Sequence, residues 1–265
     1  MTKFRVEKVD EHNEKHVVNQ LKSDVIRHVF ALYDIQHDPE HTVMHAAYED
    51  AKLEGYILTY TALETPSVIM ECESETAKKL IEYAPADKYV MHTRSDLLPI
   101  IEKRFLTAKH YIEDWMLVKK GEATIFKSEL TCRLRTEEDA EKLFRLLETR
   151  KERTPSSIER YLDWMTRMPL YGLFINDELV SYAGSFLQLP QVWMIGGVYT
   201  RPDHRGKGYA TQVTAAVTEE ALRNAEAAAL FVRSDNYPAI KAYEKIGFRK
   251  IGEKLWVDIG TGLKP

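Results

Sequence analysis

The chain has little of what predicts a metal centre or a disulfide framework. It contains two cysteines, Cys72 and Cys132, which are far apart and lack the spacing of metal ligands. Its nine histidines are scattered along the sequence. We therefore expect two buried, reduced thiols and no bound metal.

Long apolar runs and an excess of positive charge are also absent. No segment approaches the roughly 20 apolar residues of a membrane-spanning helix, and residues 1–6 do not resemble a signal peptide. The formal net charge of −4 gives no reason to expect a nucleic-acid partner. With 44% hydrophobic and 29% charged residues, the 265-residue chain has the composition of a globular protein. We expect a cytoplasmic protein that binds neither membranes nor nucleic acids.

The most informative stretch, residues 192–224, predicts a strand, a basic glycine turn and a helix in that order. Residues 192–198 are apolar, as in a buried strand, and a polar turn that contains Pro202 follows them. Residues 211–224 contain the helix formers Ala, Glu and Leu, and their apolar residues recur at helical spacing.

The glycine turn before this helix has the chemistry of an anion site. The first turn of a helix leaves backbone N–H groups unpaired and carries a partial positive charge. Gly206 and Gly208 have no side chain to block an approaching ligand, and Arg205 and Lys207 add full charges. The turn therefore predicts a cradle for a phosphate or pyrophosphate; the alternative is an ordinary surface turn with solvated basic side chains. It is neither a Walker loop nor a Rossmann fingerprint, because Gly-Lys-Ser/Thr and a third glycine are missing.

Two motifs in this half resemble those of the GNAT superfamily of acetyl-CoA-dependent N-acyltransferases. The first has the pattern Arg-x-x-Gly-x-Ala and starts at Arg205; the second starts at Asn236 and ends with Tyr-Glu-Lys-Ile-Gly-Phe at residues 243–248. The resemblance covers residues 130–260 well and the first half only by pattern. It implies acetyl-CoA as the acyl donor, no metal, and one set of residues that binds the donor. These residues are Val198, Tyr199, Thr200, Arg205, Gly206, Lys207, Gly208, Tyr209, Ala210, Asn236, Ala239 and Tyr243.

The resemblance also implies a role for each part of this set. Backbone amides of residues 205–210 would hold the pyrophosphate, and residues 198–200 would pair with the pantetheine arm through their backbone. Tyr243 would protonate the departing thiolate, since a thiol of pKa about 8.5 needs only modest help from a phenol of pKa about 10. Two alternatives stay open: Tyr243 as a core tyrosine, and Asn236 as the cap of the following helix, with or without a contact to pantetheine.

The sequence assigns no general base. Many similar enzymes carry a carboxylate on or beside the strand before the phosphate loop, but residues 192–198 contain none. The weak candidates are Tyr182, Ser185, Glu178, Glu71 and Glu73. A small amine could also lose its proton to water.

The acceptor is equally open. Four side chains could line an apolar pocket or lie in the core: Tyr171, Phe186, Trp193 and Met194. The two-half organisation resembles the glycine N-acyltransferase branch, which implies direct transfer to an amino acid or another small primary amine. The alternatives are a protein acetyltransferase that acts on an N-terminus or a lysine, and a non-catalytic acetyl-CoA-binding sensor. The chain could also form a homodimer.

The order of predicted strands and helices occurs twice along the chain. Residues 53–56 resemble residues 179–182, and residues 94–96 repeat the Arg-Ser-Asp of residues 233–235. The second half carries more residues between these points, where its basic glycine turn lies. A real repeat explains this better than chance similarity between two α+β segments.

We therefore predict an α+β fold of two tandem GNAT-like domains, each a mixed, mostly antiparallel sheet flanked by helices. Residues 1–122 would form a degenerate domain without a cofactor loop, and residues 123–265 the domain that binds acetyl-CoA. Within the first domain, the pattern predicts a helix over residues 11–29 and the next strand over residues 53–60.

Overall fold

The computed structural model describes residues 4–126, 128–151 and 155–262. Its backbone contacts divide the chain into two units. Among the described residues, the first comprises residues 4–113 and 253–262, and the second comprises residues 114–252. The division falls before the predicted domain boundary at residues 122 and 123, and most of the C-terminal strand belongs to the first unit.

The first unit is built on a mixed sheet. Its strands are β1 (Phe4–Lys8), β2 (Thr42–Glu49), β3 (Lys52–Tyr60), β4 (Ser67–Cys72), β5 (Tyr89–Arg94) and β12 (Arg249–Ile259), in that order across the sheet. Its helices are α1 (Glu14–Leu21), α2 (Val29–His37), α3 (Ser74–Leu80) and α4 (Leu98–Arg104). Strands β4 and β5 are parallel, and the other described pairs are antiparallel. Met70, Met91 and Leu255 pack with Leu80 and Ile101 in its core.

The second unit repeats this arrangement. Its strands are β6 (Lys109–Lys119), β7 (Thr131–Arg133), β8 (Leu170–Ile175), β9 (Glu178–Gln188), β10 (Val192–Thr200) and β11 (Ala227–Arg233). Its helices are α5 (Glu137–Glu148), α6 (Ile158–Arg167), α7 (Tyr209–Asn224) and α8 (Tyr237–Ile246). The sheet order is β6-β11-β10-β9-β8-β7, and β10 and β11 are parallel. One core cluster lies with α7 and α8, and another lies with α5 and α6.

Each half of the chain follows the order strand, two helices, three strands, helix, strand, helix, strand. The repeated Arg-Ser-Asp segments also make the same contact. The Nε of Arg94 donates to Asp96 Oδ1 at 2.9 Å, and the Nε of Arg233 donates to Asp235 Oδ1 at 2.9 Å. These observations confirm the predicted α+β repeat.

The last strand of each half contributes to the other unit, although its position in the sequence suggests its own. From Asp114 onward β6 belongs to the second unit although it follows α4, and β12 pairs with β5 of the first unit although it follows α8. The register runs from Lys254 opposite Arg94 to Ile259 opposite Tyr89. The first unit is therefore completed by residues from the far end of the chain.

The first unit lacks the glycine turn, because Cys72, Glu73 and Ser74 join β4 directly to α3. At the end of β4 the carboxylate of Glu71 is buried, and it contacts the ammonium group of Lys254 and the Arg27 guanidinium. A charged cluster of the unit itself thus lies where β4 ends.

Two predictions of secondary structure in the first unit are wrong. The single helix over residues 11–29 is instead two helices, α1 and α2, with a 3₁₀ turn at Lys22–Asp24 between them. Strand β2 is missing from the prediction, since Met44-His45-Ala46-Ala47 has little of the β-branched composition of strands. It forms because it pairs with β1 on one side and β3 on the other.

The remaining corrections concern single residues. Cys72 is buried as expected, whereas Cys132 is exposed because it lies on the edge strand β7; both thiols are free. Ser157 caps α6, since its side-chain oxygen accepts the Arg160 N–H at 3.3 Å. Within the described ranges, no helix is both long enough and apolar enough for a membrane span.

Candidate active site

Strand β10 has an open edge near the middle of the second unit's sheet. Its parallel pairing with β11 runs from Val192 and Ala227 to Ile195 and Leu230, and the described register ends there. On the opposite side, the pairing with β9 is irregular between Gly196 and Tyr199. Beyond Ile195, the backbone of β10 can therefore pair with an extended ligand instead of with β11.

The glycine turn lies at the end of this strand and opens α7. Gly206 and Gly208 have φ angles of +78° and +80°, and a Cβ built on either would meet nothing within 4 Å. Gly208 is the N-cap of α7, and no side chain caps the helix. The first turn of α7 thus has no side-chain cap, and it follows an open glycine turn with the exposed side chains of Arg205 and Lys207. This arrangement fits a phosphate group, as the sequence predicts.

Several predicted site residues lie together on the α7 side of the sheet. Val198, Tyr209 and Ala239 pack against the hydrophobic cluster that contains Tyr243. Tyr199 points to the opposite face, where it belongs to the cluster of α5 and α6. The side chains of β10 therefore alternate between the two faces, while their shared backbone borders the open edge.

Tyr243 lies on α8 with its ring buried and edge-on to Phe248 at 6.2 Å. Burial raises the pKa of its phenol to about 12, and no charged neighbour contributes to this shift. Asn236 begins the same helix, and its Oδ1 accepts the Ala239 N–H at 3.4 Å. Asn236 is therefore a helix cap in this structure, and a further contact to pantetheine stays a prediction.

The carboxylates suggested as a general base are already engaged. Glu178 is exposed and bonds Arg201 at 2.9 Å. Glu71 lies in the buried cluster of the first unit, and Glu73 pairs with Arg94. Of the hydroxyl candidates, Ser185 accepts from Gln188 at 2.9 Å. Tyr182 lies closest to the irregular segment, since its hydroxyl would be 3.0 Å from a Cβ on Gly197.

The four side chains suggested for an acceptor pocket lie in different surroundings. Trp193 and Met194 are buried core residues, and Tyr171 donates to Glu220 of α7 at 2.7 Å. Phe186 is partly buried and lies over Gly196, where a Cβ would be 2.9 Å from its ring. Phe186 is therefore the member of this set that borders the irregular segment of β10.

The sequence gives no signal for the residues at the end of α5 that approach the same strand. Thr149 Oγ1 and Tyr199 Oη are 2.9 Å apart, and the Arg150 guanidinium lies 5.9 Å from the centre of the Tyr199 ring. Only the fold brings these residues to β10, because about 50 positions separate them in sequence. No cluster of three or more metal-binding side chains occurs among the described residues.

Comparison of sequences with known proteins matches the part of the chain that contains this site. Residues 170–257, which include β10, the glycine turn and α8, match the FR47-like protein family. A curated relative from Bacillus subtilis (strain 168), named as the uncharacterized N-acetyltransferase YobR, is 32% identical over 104 residues. The matched segment covers 38% of this chain and 42% of that protein, so it spans less than half of the relative.

Solved structures share the fold over nearly the whole chain. A Drosophila protein is 11% identical with a TM-score of 0.71, and the match covers 97% of this chain and 98% of that one. A tandem GNAT protein from the clavulanic acid biosynthesis pathway is 12% identical with a TM-score of 0.58, and the match covers 99% of this chain and 100% of that one. The fold is therefore the tandem GNAT fold that the sequence predicts.

Proposed function

Because the chain has the GNAT fold and its residues 170–257 match the FR47-like family, we propose that it is an N-acetyltransferase. It would transfer the acetyl group of acetyl-CoA directly to a primary amine of a small molecule or amino acid, with both substrates bound together. The observation that carries this proposal is the open edge of β10, which leads into an uncapped helix N-terminus behind a glycine turn.

The two parts of this site suit the two ends of coenzyme A. The α7 N-terminus, with Arg205 and Lys207, is an anion site at the end of β10. The irregular segment from Gly196 to Tyr199 offers backbone N–H and C=O groups to the pantetheine amides and to the acyl carbonyl. Backbone N–H groups that are fixed before the reaction stabilise a developing oxyanion without reorganisation.

Tyr243 would act on the leaving group. Its phenol keeps its proton at neutral pH, because burial raises the pKa to about 12. It can therefore donate a hydrogen bond or a proton to the departing thiolate, whose pKa is near 8.5. The raised pKa also makes Tyr243 a weaker acid than an exposed phenol, so hydrogen-bond donation to the thiolate contributes more than full proton transfer.

The acceptor amine must lose a proton before or during attack. The carboxylates considered above are paired, so we propose that water removes this proton, with the Tyr182 hydroxyl beside Gly197 as the nearest protein group among those candidates. Phe186, over Gly196, would form an apolar wall for the acceptor. A small amine or amino acid, as in the glycine N-acyltransferase branch, is the acceptor class that we propose.

The test is a turnover assay of the whole chain with acetyl-CoA and a panel of amines. The panel contains free amino acids, small alkyl amines, and peptides with a free N-terminus or an internal lysine. Release of the CoA thiol and the mass of the product are measured together. We expect acetylation of a small amine or amino acid. Acetylation of peptides alone would favour a protein acetyltransferase, and tight binding of acetyl-CoA without any product would favour a sensor.

A further inference from the structure

Two arginines approach the same tyrosine ring beside the glycine turn. The guanidinium carbon of Arg150 and that of Arg205 each lie 5.9 Å from the centre of the Tyr199 ring. Arg150 follows α5, whereas Arg205 opens the glycine turn before α7. The ring thus brings together two positive charges from elements that are far apart in sequence.

Both arginines are held in place by the fold. Helix α5 is fixed to β10 by the contact between Thr149 Oγ1 and Tyr199 Oη at 2.9 Å, and the Arg150 N–H donates to Leu147 O at 3.0 Å. The Nε of Arg205 donates to Thr200 O at 3.2 Å. Arg150 is partly buried. The backbone of Arg150 and the guanidinium group of Arg205 are therefore fixed beside Tyr199.

The ion pairs of the described residues give neither arginine a carboxylate partner. Other arginines of this unit are paired: Arg201 with Glu178 and Asp203, and Arg133 with Glu220. Two like charges that share one ring repel each other, and their long-range field adds to that of the α7 N-terminus. A bound anion would relieve this repulsion, which makes the place a second anion site next to the phosphate cradle.

We propose that Arg150 and Arg205 bind the 3′-phosphate of coenzyme A across Tyr199; this inference rests on the proposed function. A phosphomonoester carries a charge of about −1.5 to −2 at neutral pH, which matches two guanidinium groups. Arginine also binds phosphate through two parallel N–H bonds. Arg205 itself belongs to the cradle, so the second site adjoins the one for the pyrophosphate.

The carboxylate of an amino-acid acceptor is the other small anion that could reach this site. It carries one charge and would leave one guanidinium without a counter-charge. The phosphate therefore fits the observed charges better than the carboxylate.

The test compares the binding of CoA and 3′-dephospho-CoA to the whole chain by calorimetry. We expect the wild type to bind CoA more tightly. Arg150→Ala should weaken CoA binding about tenfold, the value of one charge-assisted hydrogen bond, and change dephospho-CoA binding less than twofold. Arg150→Lys, which keeps the charge without the planar fork, should give an intermediate loss.

Arg145→Ala is the matched control, because it removes the same charge from α5 at an exposed position that pairs with Glu141 at 3.4 Å. It should leave the binding of both ligands unchanged, and thermal unfolding checks that each variant is folded. The proposal is overturned if Arg150→Ala weakens both ligands equally or neither. A wild type that binds CoA and dephospho-CoA equally also overturns it while leaving the proposed function intact. A wild type that binds neither ligand refutes the proposed function as well.

Discussion

The hydroxyl of Tyr182 lies against the backbone of Gly197, where an added Cβ would be 3.0 Å from it. Gly197 also has a φ of +68°, a conformation that costs other residues about 1–2 kcal/mol. Gly197→Ala must therefore strain the backbone and displace Tyr182 from the irregular segment of β10.

We predict that Gly197→Ala lowers the free energy of unfolding by about 1–2 kcal/mol and weakens acetyl-CoA binding severalfold. Urea unfolding and calorimetry measure the two effects. Gly252→Ala is the control, because a Cβ there meets nothing within 4 Å and its φ is not in the left-handed region. Unchanged binding in Gly197→Ala would show that this segment does not contact the ligand.

The variant Tyr243→Phe tests the proposed role of the Tyr243 hydroxyl as the acid that acts on the departing thiolate. Removing the hydroxyl keeps the buried ring, so CoA affinity should stay within about twofold, while kcat should fall about 10²-fold. Since burial raises the pKa of Tyr243 to about 12, the acid stays protonated up to strongly alkaline pH. The wild-type kcat should therefore show no fall near pH 10. Full activity of Tyr243→Phe across the pH profile would assign the tyrosine to the core alone.

His28 gives the first unit a pH-dependent stability. Its Nδ1 lies 3.0 Å from the Tyr56 hydroxyl, which donates to it in the neutral tautomer that carries its proton on Nε2. Burial and the nearby Arg27 lower the pKa of His28 to about 4, against a smaller opposite effect of Asp24. The unfolded chain, with a histidine pKa near 6.5, binds the proton more readily. The free energy of unfolding should therefore fall as the pH drops from about 6.5 towards 4.

The variant His28→Gln tests this assignment, because glutamine keeps a hydrogen-bond acceptor for Tyr56 without titrating. Its unfolding free energy, measured in urea at several pH values, should depend less on pH between 6.5 and 4 than that of the wild type. His12→Gln changes a largely exposed histidine and should leave the wild-type dependence in place. Identical pH profiles for His28→Gln and the wild type would contradict the prediction.

Val257 tests the assignment of the C-terminal strand. It is fully buried opposite Met91 of β5, in the core of the first unit, although it lies near the end of the chain. Val257→Ala should destabilise that unit by about 2 kcal/mol through the lost apolar contact and the cavity. Hydrogen exchange should then increase in β5. Ile251→Ala, on the same strand but exposed, is the control and should change β5 little.

The strands and helices with strong local signals could be predicted from sequence. Asn176 and Asp177, both with positive φ and of residue types that favour turns, form the tight turn between β8 and β9. Pro238 lies in the first turn of α8, and Gly247 with a φ of +109° ends it. In contrast, β2 and the start of α2 at Val29 have weak local signals, and His28 makes no side-chain cap. Tertiary pairing decides such segments.

The site residues also divide into those that the sequence identifies and those that only the structure locates. The glycine turn was recognisable because its conformation needs residues without a Cβ, at Gly206 and Gly208. The sequence suggests Tyr182 as a candidate base and Phe186 as a candidate pocket residue, but only the structure places them over the glycines of β10. Arg150 could not be found from sequence, since its relation to Tyr199 depends on how α5 packs against the sheet.

The most direct test of the proposed acetyl-CoA site is a calorimetric titration of acetyl-CoA into the wild type and into Gly208→Trp. Gly121→Trp is the control, because Gly121 also has a positive φ, +88°, and open space around its Cβ position but lies in another turn. We predict one acetyl-CoA site per chain in the wild type and in Gly121→Trp, and at least a hundredfold loss of acetyl-CoA affinity in Gly208→Trp. Two sites per chain, or undiminished binding to Gly208→Trp, would contradict this prediction.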